Sequence, residues 1–129
     1  GLEFAGMLGS FHWQSEWSRA RVNAAVADGH LESGYLQAGW LFGGVRDYEV
    51  DEGVFGSPAQ IGAGLWEVVA RLDRIHLRRV DGVEARRFVL GVNWYVTEQV
   101  RFMLNWTRGE DHATGDEPRQ LALRAQYVF

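Results

Sequence analysis

Apolar residues recur at every second position along most of this chain. Val100, Phe102, Leu104 and Trp106 alternate with Arg101, Met103, Asn105 and Thr107. Phe88, Leu90, Val92, Trp94 and Val96 alternate with Val89, Gly91, Asn93 and Tyr95, and the last segment sets Leu121, Leu123, Ala125, Tyr127 and Phe129 against Ala122, Arg124, Gln126 and Val128. A period of two is that of a β-strand, whose successive side chains point to opposite faces of a sheet. The same reading predicts strands over 10–21, 32–42, 63–77, 87–97, 99–109 and 119–129, with residues 1–8 as the end of another. The expectation is an all-β fold, an antiparallel meander of about seven strands forming one domain over 1–129. Within 63–77, Trp66, Val68, Ala70 and Leu72 hold one phase, but Ile75 and Leu77 are out of step with it. A β-bulge near Arg74 would restore the pattern, because one extra residue swaps the faces.

The connections alternate in length. Gly9-Ser10 and Thr97-Glu98-Gln99 read as tight turns, whereas 22–31, 77–87 and 109–118 are longer and polar. Short turns at one end and long loops at the other are the layout of an outer-membrane barrel. The stretch 43–62 breaks the rule, since parity places this long segment at the short-turn end. No apolar run approaches the roughly 20 residues of a membrane helix, so a membrane would be crossed by strands. The chain opens without a basic and apolar leader, which reads as a start removed or a fragment.

Periodicity alone does not separate a membrane barrel from a soluble sandwich, which alternates too. The aromatic and charged positions bear on the choice. All six Trp residues fall on the apolar face. With Thr97–Gln99 taken as a periplasmic turn, Trp13, Trp40, Trp66, Trp94 and Tyr127 gather near the periplasmic end as one aromatic girdle. Phe88 and Trp106 then belong to the outer one. The opposite face carries Glu16, Gln37, Glu67, Arg71, Asp73, Asn93, Arg101, Asn105, Arg124 and Gln126. A dry core could not hold that many charges cheaply, whereas a water-filled lumen holds them readily. These ten are the expected lumen-lining residues. The rival reading, a small barrel enclosing an apolar ligand, needs apolar inward positions and fits this set less well.

Several of these segments resemble the phosphate-selective porin O and P family. Gly91-Val92-Asn93-Trp94-Tyr95, a short turn and Val100-Arg101-Phe102-Met103-Leu104-Asn105-Trp106 are similar to its "G-x-N-W-Y … V-R-x-M-x-N-Y" stretch. Trp66-Glu67-Val68-Val69-Ala70-Arg71-Leu72-Asp73-Arg74 resembles "W-E-L-A-A-R-Y-S-R", and Gly9-Ser10-Phe11 through Glu16-Trp17 resembles "G-P-F-x-x-Q-x-E-Y". Leu123-Arg124-Ala125-Gln126-Tyr127-Val128-Phe129 matches the closing "L-R-x-Q-Y-x-F". The likeness departs at Phe42-Gly43-Gly44-Val45-Arg46-Asp47-Tyr48, where the family has "L-T-G-E-x-R-x-Y". The resemblance implies a trimeric transmembrane β-barrel of about 16 strands, of which this chain would be the C-terminal part. It also implies a Gram-negative outer membrane, lipid and lipopolysaccharide as surroundings, and small anions such as phosphate or pyrophosphate as solutes.

Within that frame Arg71, Arg101 and Arg124 could line an anion path, since guanidinium groups suit phosphate oxygens. Alternatively they pair with Glu67, Asp73 and Glu16 and only shape the field. Tyr127 and Phe129 form the expected signal for the barrel-assembly machinery. Asp47, Glu49, Asp51 and Glu52 do not fit a calcium loop, because Glu52 stands where Gly is required. Glu110, Asp111, Asp116 and Glu117 read as a solvated acidic loop or a contact to lipopolysaccharide through bridging cations. His12, His30, His76 and His112 lack metal-ligand spacing, and no cofactor is expected. The chain has no Cys, which excludes thiolate metal sites and Cys nucleophiles, and no catalytic motif is present. A net charge of −4 argues against nucleic acid as a partner.

Overall fold

The computed structural model describes residues 1–23, 28–49, 54–59, 64–78 and 83–127. Seven long strands form a single antiparallel sheet: β1 Leu2–Leu8, β2 Phe11–Asn23, β3 Asp28–Phe42, β6 Leu65–Arg78, β7 Val83–Tyr95, β8 Val100–Asp111 and β9 Arg119–Tyr127. Two short strands, β4 Val45–Glu49 and β5 Val54–Ala59, form a separate hairpin between β3 and β6. The large sheet runs in the order β1-β2-β3-β6-β7-β8-β9, so every neighbour in space is the next long strand in sequence. The expected meander of seven strands is what the structure contains.

The two faces sort as the alternation requires. Leu36, Trp40, Phe42, Trp66, Leu72, Leu90, Trp94, Leu104, Trp106 and Leu121 are all exposed on one face. A soluble protein does not leave so broad an apolar surface in water. What is buried is small: Leu41, Leu65 and Tyr95 make the only hydrophobic cluster among the described residues, and it lies on the other face.

The structure corrects the expectation of a bulge near Arg74. β6 pairs residue by residue with β3 from His30↔Arg78 to Phe42↔Trp66, and with β7 from Leu65↔Tyr95 to Leu77↔Val83, without a break. Ile75 therefore stays on the face of Arg71 and Asp73, opposite Ser33 and Ala85, while Arg74 and His76 stay on the face of Trp66 and Leu72. The backbone does not slip. The polarity of the apolar face changes along the strand instead, from Leu72 to Arg74.

Three strand pairs also run past their expected limits. β2 and β3 pair as far as Asn23↔Asp28, β6 and β7 as far as Leu77↔Val83, and β7 and β8 as far as Ala85↔Asp111. Much of the expected loops 22–31 and 77–87 is therefore strand, and residues 24–27 and 79–82 lie outside the described residues. At the ends of β2 and β3 polar residues fall on both faces. At the ends of β6 and β7 the alternation inverts, with Ile75, Leu77, Val83 and Ala85 on one face and Arg74, His76, Glu84 and Arg86 on the other, so the apolar stripe that marks the strands does not reach them. The third loop, 109–118, is described: the backbone N–H of His112 donates to Glu84 O at 3.0 Å, and the N–H of Gly109 donates to Pro118 O at 2.8 Å.

Candidate functional site

The stretch 43–62 did not read as structure, yet it builds the centre of the polar face. Gly43 takes φ of 85°, a left-handed backbone that suits glycine, and turns the chain off the end of β3. Ser10 Oγ, in the turn between β1 and β2, donates to Gly44 O at 2.9 Å and ties the departing chain to the sheet end. β4 and β5 then pair antiparallel, with a register shift between Arg46 and Tyr48. The Phe55 ring sits 4.9 Å from the His12 ring, so this hairpin lies over the polar face of the sheet.

Arg46 of β4 and Glu67 of β6 join the hairpin to the sheet. The guanidinium meets the carboxylate with two N–H groups: Nε donates to Oε1 at 3.0 Å and Nη2 donates to Oε2 at 2.9 Å. Nη1 donates to Gly56 O at 2.8 Å within the hairpin itself, and Nη2 also reaches the Tyr95 hydroxyl. Glu67 takes three more donors from two strands. His12 Nε2 of β2 reaches Oε1 at 2.7 Å, while Asn93 Nδ2 at 2.7 Å and Tyr95 Oη at 2.8 Å, both of β7, reach Oε2. Five donors on one carboxylate exhaust its lone pairs and make burial tolerable.

The strand order explains how His12 arrives. His12 lies across from Gly39 in the β2–β3 register, and Gly39 in turn lies across from Val69 on β6. The imidazole must pass over β3 to reach Glu67, and a Cβ at position 39 would strike its ring. Gly39 is therefore the gap through which β2 contacts β6. Gly91 plays a similar part further along, where an added Cβ would come within 2.6 Å of Asn105 Oδ1.

Around this hub the remaining expected lumen residues keep to the polar face but differ in their partners. Arg71 donates to Asp73 Oδ1 at 2.9 Å, lies 3.9 Å above the Tyr35 ring and reaches Gln37 Oε1 at 3.4 Å. Arg87 holds the other oxygen of Asp73 at 3.1 Å. Thus Arg46, Arg71 and Arg87 share two carboxylates, Glu67 and Asp73. Arg101 is bound differently. Its Nη2 donates to Gln126 Oε1 at 2.5 Å and its guanidinium lies 5.6 Å from the Tyr95 ring, with no carboxylate among the partners described. Arg124 is exposed opposite Met103, and Glu16 lies across from both Glu3 and Tyr35. A cavity of about 400 Å³ borders Arg46, Arg71, Arg101, Asn93 and Asn105.

Two expectations need correction here. Glu67 does not face open water: it is 1% exposed, sealed beneath the hairpin. Nor does it pair with Arg71, Arg101 or Arg124; of the expected lumen residues only Asn93 hydrogen-bonds to it. Its partner is Arg46, which is not among the expected lumen-lining residues. The side chains of Asp47 and Glu49, and all of Asp51 and Glu52, lie outside the described residues.

On the apolar face, Trp66 and Trp94 stack at 5.3 Å with planes 7° apart, and Phe102 continues the row 5.8 Å from Trp94. Phe11 and Trp40 meet at 6.2 Å, and Phe88 and Trp106 at 6.1 Å. Trp13 shares a hydrogen-bonded row with Ala38, Ala70, Leu90 and Trp106, not with Trp66. Tyr127 is exposed across from Val100, and Phe129 lies outside the described residues. In the acidic loop, Glu110 and Glu117 are both taken by Arg108, at 3.2 and 3.0 Å.

Comparison with known proteins fits this arrangement. The family model described as "Phosphate-selective porin O and P" matches residues 1–129. This chain belongs to that family. It is 30% identical over 151 aligned residues to Porin O of Pseudomonas aeruginosa, a match that covers all of this chain and 34% of the relative. The chain thus spans about a third of that relative's length. As a family member it is a protein of the Gram-negative outer membrane, and its exposed apolar face is the face that such a sheet turns to lipid.

Proposed function

We propose that this chain is the C-terminal wall of a trimeric porin barrel of about 16 strands, through which small anions such as phosphate or pyrophosphate diffuse. No bond is made or broken in this process. Solutes are sorted by the width of the lumen and by its charge. The open edges of β1 and β9 support the reading, since unpaired strand edges are not tolerated in hydrocarbon and call for further strands. In the closed barrel the hairpin β4–β5 narrows the lumen from the periplasmic side.

The observation that carries the anion reading is the imbalance on the polar face. Asp73 is taken by Arg71 and Arg87 and Glu67 by Arg46, His12, Asn93 and Tyr95, while Arg101 rests on Gln126 and Tyr95 with no carboxylate among its described partners. A fixed cation in a narrow aqueous passage raises the local concentration of anions and lowers their barrier to entry. Its field is felt most when salt does not screen it. The test is single-channel recording of Arg101→Ala in the intact porin. The anion-over-cation permeability ratio is expected to fall, and to fall most at low salt. An unchanged ratio at low salt would reject Arg101 as a selectivity residue.

A further inference from the structure

The apolar face carries a feature that a plain lipid contact does not need. Where β2, β3, β6 and β7 run side by side inside the sheet, successive rows change character within a few residues. One row is Leu36, Leu72 and Phe88; the next is Trp17, Gly34, Arg74 and Arg86; the next is Arg19, Glu32, His76 and Glu84. Gly34 leaves a dent in this surface, and a groove of about 520 Å³ lies over it, bordered by Trp17, Glu32, Leu36, Leu72, Arg74 and His76. The Trp17 ring leans toward the gap, with its Cδ1 at 3.6 Å from where a Cβ of residue 34 would be. The groove is therefore greasy at the end nearer the hydrocarbon and cationic at the other.

The cationic end is only partly neutralised: Arg19, Arg74, Arg86 and His76 stand there against two carboxylates, Glu32 and Glu84. Glu84 is the carboxylate between Arg74 and Arg86, which approach the same Oε1 at 2.9 Å each, and His76 stands 3.7 Å from its Oε2. Arg74 and Arg86 lie directly across from each other in the β6–β7 register, an adjacency of like charges that normally costs stability. Their side chains are 58% and 46% exposed. Each guanidinium has five donors, of which Glu84 takes one or two. Two forked cations on the outside of a barrel, at the upper margin of its apolar band, suit a phosphate oxygen cluster attached to an acyl chain.

We propose that this groove binds lipopolysaccharide, with a lipid A phosphate on Arg74 and Arg86 and an acyl chain along Trp17, Leu36 and Leu72. The assignment rests on the barrel reading given above, which places this face in the outer leaflet. It differs from a contact through the acidic loop 109–118 and bridging cations, since Arg108 already holds Glu110 and Glu117 there. The site is direct and needs no metal.

The experiment uses the full-length porin purified in detergent. Binding of four probes is compared: lipopolysaccharide, the same lipid with its lipid A phosphates removed, phosphatidylglycerol and inorganic phosphate. Each is titrated against wild type, Arg74→Ala/Arg86→Ala and Glu84→Gln. Intact lipopolysaccharide is expected to bind the double variant about tenfold more weakly, or worse, because two charge-assisted phosphate contacts are lost. It is expected to bind Glu84→Gln more tightly than wild type, because the competing carboxylate is gone. That opposite shift cannot come from misfolding. Channel conductance should be unchanged in both variants, as none of these residues faces the lumen; a lost channel would fault the barrel reading rather than the groove. Equal affinity of wild type and double variant for lipopolysaccharide would overturn the proposal. So would equal binding of phosphatidylglycerol or inorganic phosphate by wild type, or dissociation of the oligomer in the double variant, which would make the groove a contact between copies.

Discussion

At the scale of single residues, Glu67 and Arg46 form the sharpest feature of this protein. A carboxylate that accepts five donors while 1% exposed is held by its surroundings, and it contributes no free charge to solutes. Arg46→Ala would leave that carboxylate with His12, Asn93 and Tyr95 alone. Removing one member of a buried pair costs about 3 kcal/mol or more, and part of that cost should be recovered by adding Glu67→Gln, which discharges the stranded partner. Equilibrium unfolding of the full-length barrel in urea checks both the loss and its partial recovery. Equal stabilities of Arg46→Ala and the double variant would show that the pair is not coupled. The sequence identified Glu67 as a polar-face residue, because alternation alone sets its side. It did not identify what Glu67 touches. Arg46 lies in a stretch without a clean period, and a contact between residues separated by 21 positions and a turn leaves no local pattern.

At the scale of elements, the seven long strands were legible because an apolar face in lipid demands strict alternation, and each expected segment holds a strand. Their outer ends were not, because the apolar stripe ends or changes face there although hydrogen bonding between strands continues. The apparent phase slip at Arg74 has the same origin. What changed there was the medium around the strand, and the register stayed whole. The hairpin β4–β5 escaped notice for another reason: its short strands sit against a polar wall and need no apolar stripe. Its role is open to direct measurement. Replacing residues 45–59 with a short glycine-serine link should raise single-channel conductance, since an element that overlies the polar face through Arg46 and Phe55 would no longer occupy the passage. Conductance equal to that of the parent would place the hairpin outside the conducting path. The same link also uncovers Glu67 to water, so the periplasmic side should gain cation preference.

At the scale of the whole molecule, the 129 residues by themselves make a sheet with two free edges and one broadly apolar face. Produced alone and without detergent, the chain should aggregate, because both defects are templates for association in water. A monomeric, cooperatively melting protein in plain buffer would contradict the membrane assignment. The length of the strands has a consequence for traffic through the pore. β3 has 15 residues, about 50 Å of extended chain at roughly 3.3 Å per residue. Inclined at about 40°, such a strand rises nearly 40 Å, whereas the apolar band of a barrel is about 25 Å tall. Its polar end, from Asp28 to about Glu32, therefore stands clear of the hydrocarbon by something over 10 Å. That is more than the screening distance of about 8 Å in physiological salt. An outer leaflet rich in phosphates repels approaching anions, and a rim raised by this height opens above most of that repulsion. If the chain is the wall of an anion porin as proposed, the mouth works as a chimney, and shortening its wall should slow anion entry more in dilute salt than in concentrated salt.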